Sequence, residues 1–165
     1  MLFNEIKNIE TKPKTFVSAS GANYYGTVTS EKIFVEEDKS GNDFLAHCCV
    51  LWEKSATQFE QLGLRTVKLR TGVVIGNDSP GIKKMLFPIK LGFGAAVGTG
   101  KQYLPWIHIE DLCQLYLKAI KDKSMTGEYN AVAPEYITNK EFTNRLAKSI
   151  DKKKGLPNIT SLLLK

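Results

Sequence analysis

Cysteine is scarce and badly spaced for a disulfide framework: there are three, an odd number, and Cys48 and Cys49 are adjacent. That excludes a small stapled secreted domain and predicts reduced, buried thiols in an intracellular protein. Asn77-Asp78-Ser79 and Asn158-Ile159-Thr160 are then chance matches to a glycosylation acceptor. No apolar run approaches the roughly 20 residues that a bilayer span requires. Met1 to Glu5 lacks the basic and apolar regions of a signal peptide. Arginine is also scarce, found only at 65, 70 and 145, so the net charge of +6 rests on scattered lysines. The arginine forks and interleaved aromatics of nucleic-acid recognition are therefore missing. His47, Cys48, Cys49, His108 and Cys113 match no zinc spacing, which argues against a metal site. Nucleic acid, membrane and metal are set aside as partners on these grounds.

What is present is a globular composition. The 165 residues are 42% hydrophobic and 24% charged, enough for one domain with a sizeable core. Leu2, Ile6 and Ile9 mark a short first helix, and Thr15 to Ala19 reads as a strand. A long helix is predicted from about Asp43 to Leu62, capped by Asn42 and stopped by Gly63. Its apolar face is read from Phe44, His47, Cys48, Leu51, Ser55 and Phe59. Thr66 to Arg70 forms the next strand and continues, after a loop residue or two, into Val73-Val74-Ile75. Pro80 opens a helix over about 82–91 that Pro88 should kink. A glycine-rich loop at 92–100, the strand Trp106-Ile107 and a helix from Glu110 to about Lys121 follow. Gly127 to Val132 is the last strand. Thr138 and Glu141 form a capping box that starts a helix through Ile150. Strands alternating with crossover helices give an α/β fold with a parallel sheet, whose strands are buried on both faces, as Val73-Val74-Ile75 suggests.

Three blocks carry a family resemblance: Ser18-Ala19-Ser20-Gly21-Ala22-Asn23-Tyr24-Tyr25-Gly26, Leu69 to Gly76, and Trp106-Ile107-His108-Ile109-Glu110-Asp111-Leu112. With Gly127 to Asn130 and Ala133-Pro134-Glu135, they resemble an atypical extended short-chain dehydrogenase/reductase of the sugar-nucleotide-epimerase-like branch, over roughly residues 10–150. The resemblance implies the C-terminal part of a Rossmann-type sheet, NAD or NADP as cofactor, and residues 1–165 as a partial domain lacking the N-terminal Gly-rich pyrophosphate turn. A truncated chain of this kind would leave the Thr15 to Ala19 strand with an unpaired edge.

The resemblance also implies roles. Ser20 matches the serine that orients a substrate carbonyl or hydroxyl. Arg70, Gly72 and Val73 fall on the nicotinamide side of the cleft, which the 92–100 loop also lines. In the wider family, a tyrosine exchanges the proton while a lysine four residues later lowers its pKa and holds the ribose. Counting back from Glu53 on the long helix puts Leu45 and Cys49 at those two positions. Tyr24 or Tyr25 could offer a phenol instead, against a plainer reading as packing under the Gly26 turn. Leu104 stands where sugar-nucleotide epimerases carry a diphosphate-gripping arginine, and Lys101 is the nearest substitute charge. His108 and Asp111 could form a catalytic pairing, against a plainer reading as strand-end packing or hydrogen bonding and helix N-terminal charge. The expected function is an NAD(P)-linked oxidoreductase or epimerase-like protein of unknown substrate. The alternative is a non-catalytic binding module on the same fold.

Overall fold

A computed structural model describes residues 2–76, 79–91, 96 and 98–150. The Asn77 and Asn158 sequons, most of the 92–100 loop and Lys152 to Lys154 lie outside or largely outside the described residues. The chain is α/β and forms two compact units, the first of 1–27, 33–72 and 110–132, the second of 28–32, 73–109 and the residues from 133 onward.

The first unit is built on a parallel sheet of three strands: β1 (Thr15–Gly21), β2 (Arg65–Thr71) and β5 (Gly127–Ala131), in the order β1-β2-β5. Helix α2 (Phe44–Thr57) makes the crossover from β1 to β2, and a 3-10 turn at Gln58–Leu62 extends it. Asp43 caps α2, not Asn42: its Oδ1 accepts the Ala46 N–H at 2.9 Å while Oδ2 accepts the Thr27 N–H. Gly63 ends the run in the left-handed region, at φ 78°. Helix α1 (Leu2–Asn8) buries none of its residues, but Phe3 meets Phe59 edge-on at 5.6 Å, and Phe59 stacks on Phe16 at 4.0 Å. Among the described residues β1 pairs with β2 alone, so its other edge carries no strand.

The buried face of α2 differs from the one that its periodicity predicts. Ala46, Cys49, Glu53 and Ala56 are buried, whereas Phe44 is 77% exposed, Leu51 50% and Trp52 57%. The helix is apolar almost all round, so spacing alone could not choose a face; small residues win because they let it lie close to β1. A Cβ placed on Gly21 would sit 3.6 Å from Cys49 Sγ.

Strand β2 also departs from expectation. It is the buried strand, yet it alternates: Val67 and Leu69 point one way, Lys68 and Arg70 the other, all four buried. The continuously apolar β3 (Val73–Ile75) is only half-buried and belongs to a different sheet. The chain changes partner at Gly72, whose N–H reaches Ala131 O at 3.2 Å, while the Val73 N–H reaches Pro105 O at 2.8 Å.

In the second unit β3 runs parallel to β4 (Trp106–His108). Helix α3 (Pro80–Lys90) and helix α5 (Asn139–Lys148) enclose a core of Ile82, Ile137 and Phe142, joined by Ile75, Met85, Leu86, Leu104, Trp106 and Leu146. Pro80 occupies the first turn of α3, where its missing N–H costs nothing, and Pro88 lies inside the helix. The capping box on α5 is present: the Glu141 N–H bonds Thr138 Oγ1 at 3.2 Å, and the Thr138 N–H bonds Glu141 Oε2 at 2.9 Å. Helix α4 (Ile109–Lys121) belongs to the first unit from Glu110 onward and buries Leu112 and Ala119.

Candidate functional site

Strand register brings the candidate residues together. Ser20 pairs with Arg70 and Arg70 with Asn130, so one row crosses the sheet near the carboxyl ends of its strands. Two residues back, Ser18, Lys68 and Glu128 form a second row on the same face. That face of the sheet is polar, and α2 supplies Glu53 to it.

Arg70 is the hub. The residue as a whole is 2% exposed. Nε donates to Glu53 Oε1 at 2.9 Å and Nη2 to Oε2 at 3.0 Å, a two-point pair. Nη1 donates to the Tyr25 hydroxyl and to the Glu36 carbonyl, both at 2.9 Å. The guanidinium carbon lies 3.5 Å from the centroid of the Tyr24 ring. Burial works against the charge, but the hydrogen bonds to Glu53 and Tyr25 outweigh it and raise the pKa above the ordinary arginine value. Arg70 is a permanent cation whose donors are taken up inside the protein.

Ser20 Oγ donates to Glu53 Oε1 at 2.7 Å, so its proton is committed and its lone pairs remain. Tyr25 is buried, stacks on Phe34 at 4.9 Å, and donates to Asn130 Oδ1 at 2.7 Å. Burial raises the Tyr25 phenol above its usual value, and Arg70 and Asn130 only partly offset this. The phenol therefore stays protonated near neutrality and braces the hub instead of acting as a base. Packing under the Gly26 turn is thus part of its role, and the hydroxyl adds a polar bridge that spacing did not reveal.

Leu45 is 47% exposed and Cys49 is buried, its thiol pushed up chiefly by burial. Leucine has nothing to titrate, and the Cys49 thiol keeps its proton at neutral pH, so neither serves as a base or a cation. Gly72 and Val73 sit at the switch between sheets, and their amides are used by Ala131 and Pro105. His108 is half-buried at the end of β4, in the second unit. Among the described residues no three His, Cys, Asp or Glu side chains gather as a metal site needs. No helix there is long and apolar enough to cross a membrane. Glu36 gave no sequence signal, and Asn130 counted only within a family-like block and not as a site residue, because each matters through a partner far along the chain.

Comparison with known proteins gives a consistent picture. No family model matches the chain. The epimerase family protein YfhF of Bacillus subtilis is 37% identical over 153 residues, covering 92% of this chain and 50% of that protein. The human epimerase family protein SDR39U1 is 33% identical over 160 residues, covering 95% and 53%. The chain thus spans about half the length of the curated relatives it matches. Among solved structures, human SDR39U1 (isoform 2) with NADPH superposes with a TM-score of 0.82 at 28% identity, over 99% of this chain and 55% of that one. A nucleoside-diphosphate sugar epimerase from Corynebacterium glutamicum gives 0.78 at 31% identity, over 95% and 34%.

Proposed function

We propose, from the premise that this chain is an extended short-chain dehydrogenase/reductase of the epimerase-like kind, that it forms the substrate-side part of an NAD(P)-dependent oxidoreductase or epimerase-like protein. The observation that carries the reading is the match, over 99% of the chain, to a human relative solved with NADPH. In this reading residues 1–165 are a partial NAD(P)-binding Rossmann-like domain, and the glycine-rich turn for the pyrophosphate is not among them.

Ser20 is the residue we assign to substrate orientation. Its hydroxyl donates its hydrogen bond to Glu53, so what it offers a ligand is an acceptor, suited to a substrate hydroxyl. Arg70 acts from behind by fixing Glu53, while Gly72 and Val73 provide backbone on the nicotinamide side. The residues at the family's tyrosine and lysine positions do not fit their usual duty. Leu45 and Cys49 offer neither a base nor a ribose-binding cation, so no proton transfer is assigned to them.

The test is titration calorimetry with NADPH and NADH. It would use this chain and, beside it, a polypeptide that also carries the rest of the relatives' length. Binding by the longer polypeptide alone supports the proposal and directs the search to substrates. Failure of both to bind, with both folded, would overturn it.

A further inference from the structure

The stretch between the Tyr24-Tyr25 turn and α2 is held down almost entirely by polar contacts. None of residues 31–40 is buried, and Ile33 and Val35 point their side chains into solvent at 58% and 48% exposure. Its own turn closes through Val35 N–H to Asp38 Oδ2 at 2.9 Å and Asp38 N–H to Val35 O at 3.1 Å. Three further bonds fasten it to the sheet. The Asn130 backbone N–H donates to Glu36 Oε1 at 2.7 Å, Asn130 Nδ2 to Phe34 O at 3.4 Å, and Arg70 Nη1 to Glu36 O at 2.9 Å. The Phe34 ring, half-buried, adds an apolar contact by stacking on Tyr25. A segment with so little buried apolar surface opens at much lower cost than the core.

What lies beneath is a set of donors. Asn130 offers a backbone amide and a carboxamide N–H, and Arg70 offers one guanidinium N–H. All three lie near the carboxyl ends of β2 and β5, where ligands of open parallel sheets bind. In the closed state the chain's own Glu36 carboxylate fills that position on the Asn130 amide.

We propose that residues 33–38 form a flap latched over the carboxyl end of this sheet, with Glu36 occupying a place that a carboxylate-bearing ligand takes when the flap opens. Glu36 is then an internal stand-in for ligand. Opening exchanges its carboxylate for another of the same chemistry on the same donors.

Amide hydrogen exchange and NMR on the intact chain test this without any cofactor, so the result is independent of the NAD(P) reading. Amides of residues 33–38 should exchange at least about tenfold faster than those of Val67 and Leu69. Glu36→Ala should speed flap exchange about tenfold further, as loss of a charge-assisted hydrogen bond does, and leave β2 unchanged. Added acetate should then shift the Asn130 amide saturably in Glu36→Ala but not in the wild-type chain, with chloride at equal ionic strength as the control. A flap as protected as β2, no effect of Glu36→Ala, or no saturable acetate shift in the variant would each overturn the proposal.

Discussion

The Arg70 guanidinium and the Glu53 carboxylate meet at two points, 2.9 and 3.0 Å, inside the polar face of the sheet. Both side chains are almost fully withdrawn from solvent, at 3% and 8% exposure. Removing one partner strands the other's charge, which costs far more than the pair is worth when intact. Arg70→Met should destabilise the fold by about 3–5 kcal/mol. The double variant Arg70→Met/Glu53→Gln should lose less than the sum of the two singles. Denaturant unfolding of all four proteins gives the coupling, and strict additivity would show that the pair does not act as a unit.

Gly41 has no room for a side chain. A Cβ there would lie 2.6 Å from Gly26 Cα, 2.7 Å from Gly26 N and 2.8 Å from Tyr25 O, all backbone atoms that cannot swing aside. The Gly41 N–H also bonds Tyr24 O at 2.9 Å, which pins the two loops together. Gly41→Ala is expected to cost about 1–3 kcal/mol, near the upper end because backbone must move. Gly63→Ala meets no atom within 4 Å, so its cost comes from the left-handed φ alone. Thermal melts of the two variants should place Gly41→Ala lower.

Acid should weaken the fold through the second polar row. Lys68 is 4% exposed, bonds Thr57 Oγ1 at 2.9 Å and pairs with Glu128 Oε1 at 2.7 Å. Burial alone would raise the Glu128 carboxyl, but the hydrogen bond and charge of Lys68 bring it below its ordinary value. A carboxyl depressed on folding adds stability that is complete above its unfolded pKa, about 4.3, and is lost as pH falls through the folded one. Unfolding free energy measured from pH 6 downward should therefore decline below about pH 4.3, and more gently in Lys68→Met. An identical slope in the variant would remove Glu128 from the account.

The three thiols should react in a fixed order. Cys113 is exposed, Cys48 half-buried and Cys49 buried, with the Cys49 thiol pushed up by burial and so short of thiolate. An aromatic disulfide reagent at pH 8 should label Cys113 first and Cys48 next. Cys49 should wait for unfolding. Early labelling of Cys49, read by peptide mass, would mean that α2 lifts from β1 in the native state.

The sequence by itself determined the order of strands and helices, the caps at Gly63 and at Thr138 with Glu141, and the blocks that place the chain in its family. These are local signals, written in adjacent residues, and local physics enforces them wherever the segment lies. It could not determine which face of α2 is buried, because a helix apolar nearly all round presents no single stripe to choose. Nor could it show that Lys68 and Arg70 lie inside. Lysine and arginine are buried only when paired, and the pairing group of Arg70 is 17 residues away. The link from Tyr25 to Asn130 spans 105 residues. Contacts at that separation exist only once the parallel sheet has set its register, so tertiary structure decided that Ser20, Arg70 and Asn130 share one row.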